Sequence, residues 1–329
     1  FAYPQWQGES LNGKTILVHG EQGLGDEIMF GSLLADLQTQ GATVLFAVEP
    51  GLLELFQRSF PDISCYPHRR GKNAIAYWRA GGAPEFLNDI AKLDYNVDYQ
   101  CPTGSLPRHL RPTEKSFKTP AKGYLKANKK LLASYKKQLS EHAKLTKKPV
   151  SKKEANAKKS TKQQVASIKY VGLAWSGNRN TGTMGEFKSI DLALLKPLKK
   201  AADTVLKKTG IKIQFVSLHN AEYGHEASQV PELEILDFSE QLINFDQTGA
   251  LIAACDWVIS VDTSVCHLSA ALGKETWVPL RAGADWRYVY DRDDCVWYKN
   301  MKLTRQDTDG DWQSVIKQLA KQLIERAQR

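Results

Sequence analysis

Chemically able side chains recur in this sequence where an apolar run gives way to a helical pattern. The first stretch is Gly20-Glu21-Gln22-Gly23-Leu24-Gly25-Asp26, between the run Thr15–His19 and an amphipathic pattern that continues to about Gln40. In open parallel sheets, ligands bind beyond the carboxyl ends of strands, and glycines there allow tight turns and close backbone approach. The spacing is Gly-x-x-Gly-x-Gly, which is neither the dinucleotide fingerprint nor a P-loop. An acid at Asp26 would also repel a phosphate on that helix end. Asp26 therefore has two readings: a general base that activates an acceptor hydroxyl, or a cap at a helix start, where acids are favoured.

The second stretch is Val261-Asp262-Thr263-Ser264-Val265-Cys266-His267. The hydroxyls of Thr263 and Ser264, the first amides of the helix and its dipole suit a diphosphate. Asp262 at the strand tip suits sugar hydroxyls, and His267, one turn in, suits a phosphate oxygen. The alternative is a Ser/Thr cap with a core histidine. A third stretch, Trp175-Ser176-Gly177-Asn178-Arg179 with Lys188-Ser189 beyond it, offers polar and cationic groups for a pyrophosphate, or a plain glycine turn. His219-Asn220 occupies another loop of this kind. In Ala284-Asp285-Trp286-Arg287-Tyr288, Asp285 reads as a cap and Trp286 as core. A serine hydrolase is disfavoured because no Gly-x-Ser-x-Gly occurs, and the isolated histidines give no metal spacing.

The elements that must position these groups alternate strand and helix at about 30 residues per unit, which implies parallel sheets. Strands are expected at Thr15–His19, Val44–Val48, Tyr170–Trp175, Ile213–Leu218, Trp257–Val261 and Thr276–Val278. Helices are expected over Leu52–Phe60, Pro84–Leu93, Tyr124–Leu145, Asp191–Lys208, Thr248–Ala254, Ser264–Leu272 and Trp312–Arg329. The pattern divides the chain into 1–145, a low-apolar stretch 146–165 read as a linker or insertion, and 166–329.

At 329 residues with 42% hydrophobic and 25% charged residues, the composition is that of a two-domain globular protein. It excludes collagen-like, wholly disordered and disulfide-scaffold classes. No apolar run reaches the roughly 18 residues of a membrane span. The net charge of +9 is uneven: residues 115–164 hold sixteen lysines against two acids, a net +14 that leaves the rest at −5. That segment has no arginine and almost no aromatics after Tyr135, so it lacks the groups that read or stack on bases, and nucleic acid is not the expected partner. Five scattered cysteines without CxxC spacing point to a reducing, cytoplasmic setting with no metal knot.

Taken together, several strings resemble one family. They are His19 to Asp26, Val171 to Asn178, Val258 to Ser264 with His267, Gly104-Ser105-Leu106-Pro107-Arg108, and Asp285-Trp286-Arg287 followed by Asp291-Arg292-Asp293-Asp294 and Trp297-Tyr298. They are similar to the glycosyltransferase-like domain found behind tetratricopeptide repeats in bacterial proteins, a relative of the ADP-heptose:lipopolysaccharide heptosyltransferases. The resemblance implies an α/β, GT-B-like fold, two Rossmann-like domains facing across a cleft. The N-terminal domain would take the acceptor and the C-terminal domain a nucleotide sugar. It also implies an inverting, metal-independent glycosyltransferase that uses no cofactor beyond the donor and acts on a glycan or protein acceptor.

By motif, Asp26 becomes the base, with Gly23, Gly25 and Arg108 on the acceptor side. Trp175, Ser176, Asn178, Lys188, His219, Asp262, Thr263, Ser264 and His267 become donor-side residues. Ser264 stands where the family's Asp-Thr-Gly-x-x-His motif has glycine, which narrows the space beside the donor. A start at Phe1 without a signal-peptide pattern leads to the expectation of upstream tetratricopeptide repeats. The rival reading is a GT-B-like module that binds a glycan or protein without turnover.

Overall fold

The computed structural model describes residues 3–69, 84–92, 96–118, 122–147, 165–179 and 183–327. Strands β1 (Thr15–His19), β2 (Thr43–Val48), β3 (Ser64–Pro67) and β4 (Tyr99–Pro102) form a parallel sheet in the order β3-β2-β1-β4. A second sheet follows the order β6-β5-β7-β8-β10-β9. It is built from β5 (Ser167–Ala174), β6 (Ile211–Ser217), β7 (Trp257–Ser260), β8 (Thr276–Leu280), β9 (Asp294–Cys295) and β10 (Tyr298–Arg305). Among the described residues, only the β9–β10 pair is antiparallel.

The continuous apolar runs of β1 and β7 are buried along their whole length, as expected for parallel strands covered on both faces. In each sheet the first strand lies between its sequence neighbour and a later strand: β1 between β2 and β4, β5 between β6 and β7. A crevice opens beyond the carboxyl ends of strands at such a reversal of order. Gly20–Asp26 follows β1, Trp175 follows β5 and Asp262 follows β7, so three of the stretches chosen by residue type fall at these points.

Several elements differ from expectation for local reasons. The pattern running to Gln40 is split into helices Leu24–Phe30 and Leu34–Thr39 by a 3₁₀ turn beginning at Gly31, a residue with poor helix propensity. The helix expected from Asp191 starts instead as a 3₁₀ turn capped by the Asp191 side chain, then continues as Lys196–Thr209 with Pro197 in its first turn and Gly210 left-handed at its end.

The helix Lys129–Lys147 packs on the C-terminal half. Tyr135 Oη donates to Gln247 Oε1 at 2.9 Å, and Tyr170 Oη donates to the Leu139 carbonyl at 2.6 Å. Just before it, the N–H groups of Tyr124 and Leu125 both donate to the Ala271 carbonyl. Gly123, at φ +77°, lies so close to Ala271 and Gly273 that a side chain would strike their backbone. The expected division at residue 145 thus falls inside a helix that docks on the second half. Of the lysine-rich stretch, 148–164 lies outside the described residues.

One apolar core runs through both halves. Ile16, Phe30 and Phe46 join Leu268, Trp297 and Tyr298 in it, and Trp297 takes the edges of Phe30 and Phe117 at 5.6 and 4.8 Å. Each such side chain, fully buried, contributes about 1.5–3 kcal/mol, so apolar packing holds the halves together beneath the site. No helix among the described residues is long and apolar enough to cross a membrane. All five cysteines are free thiols.

Candidate active site

Gly23 precedes the helix Leu24–Phe30, and its N–H donates to Asp26 Oδ2 at 2.9 Å. Asp26 therefore does cap the helix. Its other oxygen, Oδ1, lies 2.7 Å from Arg287 Nη2, an ion pair that joins the two halves, with the side chains 15% and 12% exposed. A Cβ on Gly25 would lie 3.0 Å from the His267 ring and 3.5 Å from Ser264 Cα. The missing side chain at Gly25 lets the first helix lie against the start of the helix Ser264–Ala271. Glu21, the next acid along, is occupied: it accepts from the Thr103 hydroxyl at 3.2 Å and the Gly104 N–H at 3.1 Å. Arg108 stands exposed on the short helix Leu106–Leu110 beyond β4.

Across from this loop, Thr263 caps the helix Ser264–Ala271 by accepting the Val265 N–H. Asp262 has both oxygens engaged. Tyr288 Oη donates to Oδ1 at 2.6 Å, and Lys188 Nζ lies 2.6 Å from Oδ2. Burial opposes the charge on Asp262, but Lys188 foremost, with His267 and Tyr288, outweighs it and holds the carboxyl below its usual range.

The His267 ring is enclosed by Tyr288 and Tyr298, with Nδ1 3.3 Å from Tyr298 Oη and Nε2 3.5 Å from Tyr288 Oη. Burial, reinforced by Arg287, pushes its pKa down to about 4, so it is neutral at pH 7. Ligand atoms of Asp262, Cys266 and His267 lie within 4.8 Å of one another. The Tyr288 hydroxyl sits among them, within 3.7 Å of Cys266 Sγ. Burial raises the Cys266 thiol to about 12, and it donates to the Thr263 carbonyl. The trio thus serves as the hydrogen-bonded seat of Tyr288.

Trp175, Ser176 and His219 are buried and engage one another. His219 Nε2 accepts the N–H groups of Trp175 at 3.0 Å and Ser176 at 3.3 Å, satisfying amides left over where β5 ends. Burial lowers its pKa to about 4. Ser176 Oγ pairs with Ser189 Oγ at 3.1 Å. Asn178 is exposed on the following turn. Of this group, only Lys188 reaches the Asp262 cluster.

Within the turn Asp285–Tyr288, residue types alone gave no role to Arg287 or Tyr288. Asp285 caps the turn as expected and also accepts from Arg287 Nε at 2.9 Å. Burial acts against the Arg287 charge, but Asp285 and Asp26 outweigh it and its pKa is raised. Adjacent residues of one turn thus hold the two carboxylates, Arg287 on Asp26 and Tyr288 on Asp262. Trp286, expected in the core, is 65% exposed, its ring set edge-on to Trp297.

The buried histidines give the protein an acid limit. His68, His219 and His267 all have pKa values pushed down to about 4 by burial, against an ordinary 6.5. The unfolded chain therefore binds more protons between these values. Stability is full above about pH 6.5 and falls as pH drops toward 4, by up to about 2 kcal/mol per histidine between pH 6.5 and 5. Urea unfolding at pH 7 and pH 5 checks this. His267→Gln is expected to flatten the slope, and an unchanged slope would remove His267 from the account.

The chain also matches known proteins. Residues 204–277 match the glycosyltransferase family 9 (heptosyltransferase) model. That span carries β7 and the Asp262–His267 stretch. Over 329 aligned residues the chain is 26% identical to Protein FlbA of Caulobacter vibrioides, covering 96% of this chain but 47% of that protein. It therefore spans about half the length of this curated relative.

Among solved structures, the glycosyl transferase family 9 protein of Veillonella parvula aligns with TM-score 0.58 at 12% identity, covering 97% of this chain and 99% of that one. The ADP-heptose lps heptosyltransferase II of E. coli gives 0.56 at 12% identity, covering 96% and 100%. The E. coli heptosyltransferase WaaC with ADP gives 0.53 at 15%, covering 95% and 99%. At these identities the likeness establishes the fold: a mixed α/β architecture of the GT-B-like kind.

Proposed function

We propose that the protein is an inverting glycosyltransferase that moves a sugar from a nucleotide-sugar donor to a glycan or protein acceptor without a metal. The observation that carries this reading is the meeting of two loops. Gly25-Asp26 from one half abuts Asp262-Thr263-Ser264 from the other, with a cation beside each carboxylate.

In the proposed reaction the acceptor hydroxyl gives its proton to Asp26 as its oxygen attacks the anomeric carbon. The bond from that carbon to the phosphate oxygen breaks on the opposite face, and the nucleoside diphosphate leaves with the electron pair. Asp262 is assigned to the sugar hydroxyls. The amides at Thr263–Ser264, together with Lys188, are assigned to the diphosphate, where fixed dipoles and cations stabilise developing charge. The closely packed halves limit water, which would otherwise hydrolyse the donor. We assign an upstream repeat array, expected from the resemblance, to presenting the acceptor.

Thermal unfolding with ADP, UDP, GDP, CDP and their sugar conjugates tests the reading. A bound nucleotide at about a hundred times its Kd adds about 2.7 kcal/mol and raises Tm accordingly. A shift with no consumption of any nucleotide sugar would favour the non-catalytic binding module, and no shift with any nucleotide would overturn the donor site.

A further inference from the structure

The Arg287 guanidinium is the only cation among the described residues paired with Asp26. Its fork is mostly buried. Nε and Nη2 lie 2.9 and 3.3 Å from the two Asp285 oxygens, and Nη2 also reaches Asp26 Oδ1 at 2.7 Å. Among the described residues, nothing takes its Nη1.

Two observations place this cation at the start of the helix Ser264–Ala271. Its partner Asp26 adjoins Gly25, where a Cβ would lie 3.5 Å from Ser264 Cα. The next residue, Tyr288, is hydrogen-bonded to Asp262 immediately before that helix. Resting on the donor-site reading above, we propose that Arg287 is a ligand of the donor's diphosphate and that Asp26 and the diphosphate compete for it.

The chemistry requires such an exchange. Asp26 has one oxygen on the Gly23 N–H and the other on Arg287. With Oδ2 on the Gly23 N–H and Oδ1 facing the guanidinium, neither oxygen is turned to an incoming acceptor hydroxyl. A bidentate guanidinium fork suits phosphate oxygens at least as well as a carboxylate. When the diphosphate takes Arg287, Asp26 regains an oxygen for the acceptor hydroxyl. Proton abstraction is then coupled to donor occupancy, and the acceptor is activated only beside a bound donor.

The charges around the site sharpen the test. Asp26, Asp262 and Asp285 face this point together with Arg287 and Lys188. Neutralising Asp26 would relieve simple repulsion of a diphosphate whether or not Arg287 takes part. The discriminating experiment is therefore a double-mutant cycle read by isothermal titration, using whichever of ADP, UDP, GDP or CDP binds the wild type most tightly.

Asp26→Asn is expected to tighten that nucleotide by about 3- to 10-fold, because Arg287 no longer has to leave a carboxylate. Arg287→Gln is expected to weaken it by about 10-fold or more. In the Arg287→Gln background, the gain from Asp26→Asn should shrink below about 2-fold. Arg287→Lys, which keeps the charge and loses the fork, should fall between, and it serves if the glutamine variant does not fold. An equal gain in both backgrounds, or wild-type affinity in the Arg287 variants, overturns the exchange while leaving the donor site in place. A wild type that binds none of the four overturns the donor site and the exchange with it.

Discussion

Replacing Asp26 with asparagine is expected to lower sugar transfer by about 10²–10⁴-fold, the usual worth of a general base. Asparagine keeps the shape and can still accept the Gly23 N–H, since Asn and Asp are nearly equivalent caps. It cannot take the acceptor proton. The variant also loses the ion pair to Arg287, whose other partner Asp285 remains. That contact is a mostly buried ion pair, and its loss leaves Arg287 with Asp285 alone, so a modest fall in Tm accompanies the loss of rate. Transfer must therefore be measured well below the variant's melting range, at saturating donor. If Asp26 is only a cap and a strut between the halves, the Tm falls and turnover stays near normal. That result would take Asp26 out of the mechanism. Glu21, clamped by Thr103 and Gly104, is poorly placed to succeed it.

Much of the fold could be read in the sequence because its signals are local. The run Thr15–His19 is apolar enough to be buried on both faces. Thr263, Asp191 and Asp285 all cap as their residue types suggest, and Gly210 ends its helix in the left-handed conformation. The strand β10 was missed because Lys299, Asn300 and Lys302 interrupt its apolar residues and no turn signal announces it. Its register against β9 is also irregular. Yet β10 supplies Tyr298, which closes over His267. The burial of His267 therefore depends on a strand about thirty residues away, and no local spacing could reveal it.

The site divides in the same way. The two carboxylates stood out because strand ends and helix starts are visible in one stretch of chain. Their partners did not, since Arg287 meets Asp26 only when the two halves pack. Trp286 looked like core from its type alone. The structure leaves it exposed on a turn capped by Asp285 and followed by Val289, a β-branched residue at φ +46°. Backbone in that region is costly for such a side chain and persists only where its surroundings impose it. Here Arg305 holds the Val289 carbonyl at 2.9 Å, while Arg287 and Tyr288 are anchored inward.

Asp262 gives the sharpest test of where the sugar sits. Its oxygens are taken by Lys188 and Tyr288 at 2.6 Å each. Alanine there strands a partly exposed ammonium and a buried hydroxyl. Removing one partner of a buried pair costs about 3–5 kcal/mol; Lys188 is 26% exposed and can regain water, which places the expected loss at the lower end. Asp262→Asn keeps an acceptor for Tyr288 and should be the more stable of the two. The effects on ligands are expected to run in opposite directions. A carboxylate that accepts sugar hydroxyls makes hydrogen bonds worth about 1.5–3 kcal/mol, so affinity for the nucleotide sugar should fall by about 10- to 100-fold. Affinity for the nucleoside diphosphate should hold or improve, because Lys188 is released toward the phosphates and one repelling charge is gone. The measured quantity is the ratio of the two affinities in wild type and variant, which cancels any general loosening of the fold. If both ligands weaken equally, Asp262 acts only by holding Lys188 and Tyr288 in place, and the sugar must be met by another group.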